Sequence, residues 1–369
     1  MARLEGRAGR VSADAPVLTA TEADVPAPAQ DAGAPVDPAA TPDAPVLYGG
    51  PRLQPAHFEP AHVPSEVARY GTAAHTLPVG SPGKVGILEL EFALRGVGEA
   101  RRTELVRHFQ KSPLQIMQPL YYNVARPDMP YTYLMTAGGG ILHNDRQRID
   151  LVFGPGTSAH VTTQAHTKVY RMEAGYATSL VNLEVGEGAY VEYLPDPLIP
   201  YIDARFYQRT AATVHPDATL IVGETIYAGR LSRGERHAYA VLASDLEVTR
   251  PGPAGIPVAL DRVRLVPRDG QVGGPAVLGA RDVVTSLYVV TSRVPAREVA
   301  NALHDTVTRA LADSADESAR AGVSILPHDA GAWLRFVGDD TVTSAVVASS
   351  AAAAMHELIT GLPAPAIRK

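Results

Sequence analysis

The 369-residue chain contains no cysteine. That absence removes disulfides, thiolate metal sites and a cysteine nucleophile together, and it fits a reducing compartment. An excess of one charge is also missing. The formal net charge is −6, and residues 1–50 contribute three arginines against seven acids, so the rest is nearly neutral. No basic field marks a nucleic acid or an anionic lipid surface as a partner. No run approaches about 18 uninterrupted apolar residues, so no membrane span is expected. The first residues lack the apolar core of a secretory signal, and a cytoplasmic location is the expectation. There is no H-E-x-x-H, no H-x-H, and no glycine loop followed by a Lys-Ser/Thr pair, so resident metal hydrolysis and nucleotide chemistry have little support.

What is present is densest between Tyr131 and Met172. This stretch reads as strand, glycine turn, strand, Gly-Pro-Gly turn, strand. Gly138, Gly139 and Gly140 interrupt the first strand. Ile149, Leu151 and Phe153 then alternate with Arg148, Asp150 and Val152. In the third segment Ala159, Val161, Thr163, Ala165 and Val169 share one side of an extended chain. His160, Thr162, Gln164, His166, Lys168 and Tyr170 share the other, which could line a wet cavity, meet a partner or face water. His160 and His166 lie about 20 Å apart along such a strand, too far to chelate one ion, and His143 with Asp145 makes half a site at best.

Outside this stretch, residues 1–50 are rich in Ala, Pro and Asp without periodicity, and a disordered tail is expected. From Lys84 a half-buried strand is expected, with Leu88, Leu90, Phe92 and Leu94 on its apolar face. β-branched runs broken by Gly or Pro follow at roughly regular spacing, a rhythm that suits a coiled β-solenoid. Helical spacing appears only near the end, over 295–322 and 340–361, with Gly322 and Gly361 as stops. His304 and His356 fall on these helices and read as core or surface residues. The fold expected is mostly β, a β-helical or layered scaffold with two C-terminal helices, as one domain over 51–369.

Several motifs resemble those of the urease accessory protein D family (UreD, also called UreH). They are Gly139-Gly140, Asp145-Arg146, Gly154 with Gly156, Thr162-Thr163, and Lys168, Tyr170 and Arg171. Glu192 before Leu194-Pro195, Glu224 and Arg230 extend the match, as do Ser112-Pro113-Leu114 and Arg335 before Gly338-Asp339. Asn144 replaces the family's usual glycine before the Asp; Asn is the non-glycine residue that best tolerates a left-handed backbone. Pro197 stands where the family often has an acid. The resemblance implies a non-enzymatic scaffold for urease maturation, placed between the urease apoprotein and the partners UreF and the GTPase UreG. It implies no cofactor of its own and a transient passage of nickel. His143, Asp145, His160, Thr162, His166 and Glu192 are then candidates to line that passage. Gly139, Gly140, Lys168, Tyr170, Arg171, Glu224 and Arg230 are structural or interaction residues. The alternatives are a metal-dependent β-fold hydrolase or isomerase using Asp145, Lys168 and Glu192, and a metal-free binding module.

Overall fold

Alternating apolar residues and regularly placed turn glycines produce strands throughout. The computed structural model describes residues 57–71, 84–252, 255–270 and 272–367; the tail expected over 1–50 lies outside them. The strands are β1 (Val85–Arg95), β2 (Arg102–Lys111), β3 (Leu114–Ile116), β4 (Tyr131–Thr136), β5 (Arg146–Phe153) and β6 (Ser158–Thr163). Next come β7 (Thr167–Val169), β8 (Ala177–Val185), β9 (Tyr190–Tyr193), β10 (Leu198–Pro200), β11 (Arg205–Val214) and β12 (Thr219–Tyr227). The last are β13 (Val241–Arg250), β14 (Ile256–Leu265), β15 (Val283–Val290), β16 (Arg320–Ile325) and β17 (Gly331–Gly338). The helices are α1 (Ser65–Ala68), α2 (Ala296–Ala312) and α3 (Thr341–Thr360).

The chain alternates between two sheets, as the solenoid rhythm predicts. The first sheet has the order β14-β13-β11-β8-β5-β1-β2 and the second β16-β17-β15-β12-β9-β6-β4-β3. Successive coils pair in parallel, so Arg146, Thr178, Tyr207 and Ala243 stack in register at intervals of 32, 29 and 36 residues. In the second sheet the same winding stacks Tyr131, His160, Glu192 and Ile221.

Three layers result. Leu88, Leu90, Phe92, Ile149, Leu151, Phe153, Ala159 and Val161 fill one core between the sheets. On its other face the second sheet packs Tyr131, Tyr190, Ile221 and Leu287 against Val299, Leu303 and Val307 of α2 and Val347, Ala351 and Met355 of α3. Burying each such aliphatic or aromatic side chain contributes roughly 1.5–3 kcal/mol, so this layer is a main source of stability. By length and composition α3 alone among the described helices could cross a membrane; here its buried face packs in this core.

Two expectations need correction. The first long helix stops at Ala312 rather than Gly322. Ser314 Oγ accepts the Asp316 amide at 3.0 Å and Asp316 Oδ1 accepts the Ser318 amide at 3.0 Å. These side chains compete with the helical ladder, and residues 320–325 pair with β17 instead. The alternation through the third central segment also fails, because the chain turns between β6 and β7 and leaves Gln164, Ala165 and His166 exposed. α3 matches the expectation: Asp340 accepts the Val342 and Thr343 amides, and Gly361 ends the helix at φ +71°.

Candidate functional site

One coil of the solenoid separates His160 on β6 from Glu192 on β9, so strand register makes them neighbours. His160 Nδ1 lies 2.6 Å from Glu192 Oε2, and His356 Nδ1 of α3 lies 2.6 Å from Oε1. The Tyr190 hydroxyl also donates to Oε1 at 2.5 Å. Glu192 is 5 % exposed, His160 2 % and His356 1 %. Burial pushes the Glu192 carboxyl up, but the hydrogen bonds and charges of His160 and His356 outweigh it and hold the group well below the carboxylate range. An ionised carboxylate only accepts, so both Nδ1 atoms carry protons. His356 Nε2 is buried and has no hydrogen-bond partner. The Tyr131 ring stacks on His160 at 5.2 Å.

This cluster borders a cavity of about 760 Å³ beneath α3, whose walls include Thr162, His166, Asp196 and Thr225. A second cavity of about 320 Å³ lies between the sheets, beside Gly139, Gln147, Thr163, Lys168, Gln208 and Glu224. Glu224 spans that space, accepting from Ser244 Oγ at 2.6 Å and from Gln208 Nε2. Burial pushes its carboxyl up, against the hydrogen bond from Ser244.

The two cavities share His166, Pro195, Asp196, Gly223, Glu224 and Thr225 in their walls. The topology explains why. β9 pairs with β12 only through Val222, and β10 resumes at Ile226. Between them residues 194–197 leave the sheet, as 164–166 do one coil earlier, and a gap opens in the middle layer beside Gly223, Glu224 and Thr225. Among the described residues no group of three or more His, Asp and Glu side chains is arranged to hold a metal ion.

The remaining predicted residues fall in three places. Asp145 accepts the Lys84 and Leu142 amides at 2.8 and 2.9 Å and so organises the turn that contains His143, away from the cavity beneath α3. Asn144 in that turn has φ +61°, and its Oδ1 is buried with no hydrogen-bond partner. Asn144→Gly is therefore expected to raise stability by up to about 1 kcal/mol, since it relieves both penalties, and thermal denaturation checks it. Gly139, Tyr170 and Arg230 are linked through Tyr201: the Tyr170 hydroxyl sits where a Gly139 Cβ would be, and its ring lies 5.0 Å from Tyr201. Arg230 covers Tyr201 at 4.1 Å and pairs with Glu235. Arg171 is exposed, 3.6 Å from Asp203. The hydrolase set is not assembled: Asp145 serves its turn, Lys168 lines the inter-sheet cavity and Glu192 faces α3.

Residues 84–369 match the family model described as UreD urease accessory protein. The chain belongs to the UreD family. A urease accessory protein UreD 2 of Streptomyces griseus is 50 % identical over 305 residues, covering 82 % of this chain and all of the relative. A UreD 3 of Methylorubrum populi is 37 % identical over 75 % of this chain and 86 % of its own length. A UreD of Haloarcula marismortui is 35 % identical over 80 % and 94 %. UreD membership supports a role in urease maturation.

The sequence reading missed His356 as a partner of Glu192. One signal existed: it is the sole ionisable side chain between Asp340 and Glu357. A lone imidazole in so apolar a helix needs a polar partner when buried.

Proposed function

We propose that this UreD-family chain is a non-enzymatic scaffold that joins the urease apoprotein to UreF and UreG partners and lets nickel pass through its polar interior. The observation that carries the reading is the gap in the second sheet, where two cavities meet among His166, Asp196, Glu224 and Thr225. Imidazole, carboxylate and hydroxyl groups can replace a nickel ion's water one at a time. Without three or four convergent ligands the ion is not trapped, which suits cargo rather than a resident cofactor.

Thr162 tests this. It lines the cavity beneath α3, with its hydroxyl donating to the Leu194 carbonyl at 2.6 Å. Thr162→Phe should fold and assemble with the partners while urease activation falls at least tenfold. Calorimetry of the unmodified chain with nickel should show weak binding only. A Thr162→Phe variant that assembles and activates urease normally, or a tight stoichiometric nickel site, would sink the passage.

A further inference from the structure

Segment 361–367 turns away from the end of α3. Gly361 makes the turn at φ +71°, a left-handed conformation that glycine adopts without strain. Beyond it, Ala364, Pro365, Ala366 and Ile367 form part of the wall of the cavity beneath α3, together with His356. Pro363 and Ala364 also line an outer groove of about 900 Å³ between α2 and α3, beside Arg309 and Asp313. The segment therefore stands between the inner cavity and a groove on the surface.

It is lightly held. Pro363 and Pro365 have no N–H to donate, and among the described residues nothing from Pro363 to Ile367 donates or accepts a hydrogen bond. Its hold on the core is Ile367, half-buried against the layer that α2 and α3 form with the second sheet. Elements with few buried contacts and few backbone bonds open at the lowest free energy. The two prolines fix φ and stiffen the piece, so it can swing about Gly361 as a unit.

What lies behind it is polar. His356 is 1 % exposed, its Nδ1 is bound to Glu192, and its Nε2 is buried with no hydrogen-bond partner. An unmet imidazole nitrogen in a cavity wall is a place for a water molecule or a guest. Scattered single ligands release a divalent ion readily, so they cannot by themselves keep it from leaving on the wrong side. A cover over the cavity can.

We propose that residues 361–367 are a lid over the cavity beneath α3, hinged at Gly361 and latched by Ile367, which keeps weakly held cargo from escaping toward the groove between α2 and α3. The cargo rests on the passage reading, whereas the lid itself is tested without nickel.

The probe is diethyl pyrocarbonate, which acylates a free imidazole nitrogen, used on the full chain with each histidine followed by peptide mass spectrometry. In the unmodified chain His356 should react about tenfold more slowly than His304, which is exposed. Ile367→Ser should speed His356 about fivefold, and Ile367→Leu should not. Hydrogen exchange in β15, buried along its whole length, should stay as in the unmodified chain. In urease activation Ile367→Ser should lose about threefold at limiting nickel and recover when nickel is in excess. An unchanged His356 rate in Ile367→Ser removes the lid and leaves the passage reading intact. A faster rate matched by faster exchange in β15 also removes it, because Ile367 would then hold the fold rather than a cover. A faster His356 with full activation at limiting nickel overturns the lid's part in retaining cargo. Failure of the passage reading is seen separately, in normal activation by Thr162→Phe.

Discussion

Replacing Glu192 with alanine should destabilise the fold by about 3–5 kcal/mol, the cost of breaking a buried charged network by removing one partner. The change leaves two buried Nδ1–H groups and the Tyr190 hydroxyl without their shared acceptor. It also removes a buried polar tie between α3 and the second sheet, because His356 is bound to that carboxylate. Glu192→Gln should cost less, since the amide oxygen still accepts. pH gives a second readout. The folded-state pKa of Glu192 is depressed, so its stabilisation is fully present above the ordinary glutamate value of 4.5 and is withdrawn as pH falls below it. Urea titrations from pH 6 downward should show the unmodified chain losing stability below about 4.5, with a steeper slope than Glu192→Ala. Equal slopes would mean that the folded-state pKa of Glu192 is not depressed.

The second large effect is expected at Gly140. A Cβ there would meet the Lys168 carbonyl oxygen at 2.5 Å and the Lys168 Cβ at 3.0 Å. That carbonyl accepts the Ile141 amide at 2.8 Å, so the backbone cannot move aside without breaking the bridge. Gly140→Val should therefore cost about 3 kcal/mol or more, the upper range of overpacking. Gly139→Ala should be milder, about 1 kcal/mol, because its obstacle is the Tyr170 hydroxyl at the end of a side chain that can swing. Within this triple glycine the positive φ belongs to Gly138, at +153°. Melting temperatures of the two variants check the order. If Gly139→Ala proves the worse, Tyr170 is held more rigidly than its partial exposure implies.

Period-two alternation made the coils legible, since Leu88, Leu90 and Phe92 face the core between the sheets as expected. The roughly regular Gly and Pro breaks also suited a coiled β-solenoid, although no internal repeat is clear in the sequence. Which side of a strand meets water was not legible. Arg148 and Asp150 stand on the face opposite the core, yet they are buried, paired at 2.8 Å, with Arg148 also reaching the His57 carbonyl at 3.0 Å. Burial on that face comes from a segment more than 80 residues away, which no local pattern records. The site was half legible for the same reason. His160 and Glu192 stood out as polar members of apolar strands, whereas their meeting depends on a 32-residue coil and the third member on a helix 164 residues from Glu192. The gap in the second sheet is a property of two interrupted strands lying in register beside β12, and neither of them shows it alone.

The second sheet's place as the middle layer also has a consequence for how the chain is made. Its outer face, with Tyr131, Tyr190, Ile221 and Leu287, is synthesised well before the helices that cover it. Until α3 has left the ribosome that face stays open, and Glu192 has His160 but not His356. Nascent chains with uncovered apolar sheets are prone to stick to one another. Loss of the last thirty residues should therefore appear first as poor soluble yield in the cell, before any measure of urease maturation can be taken.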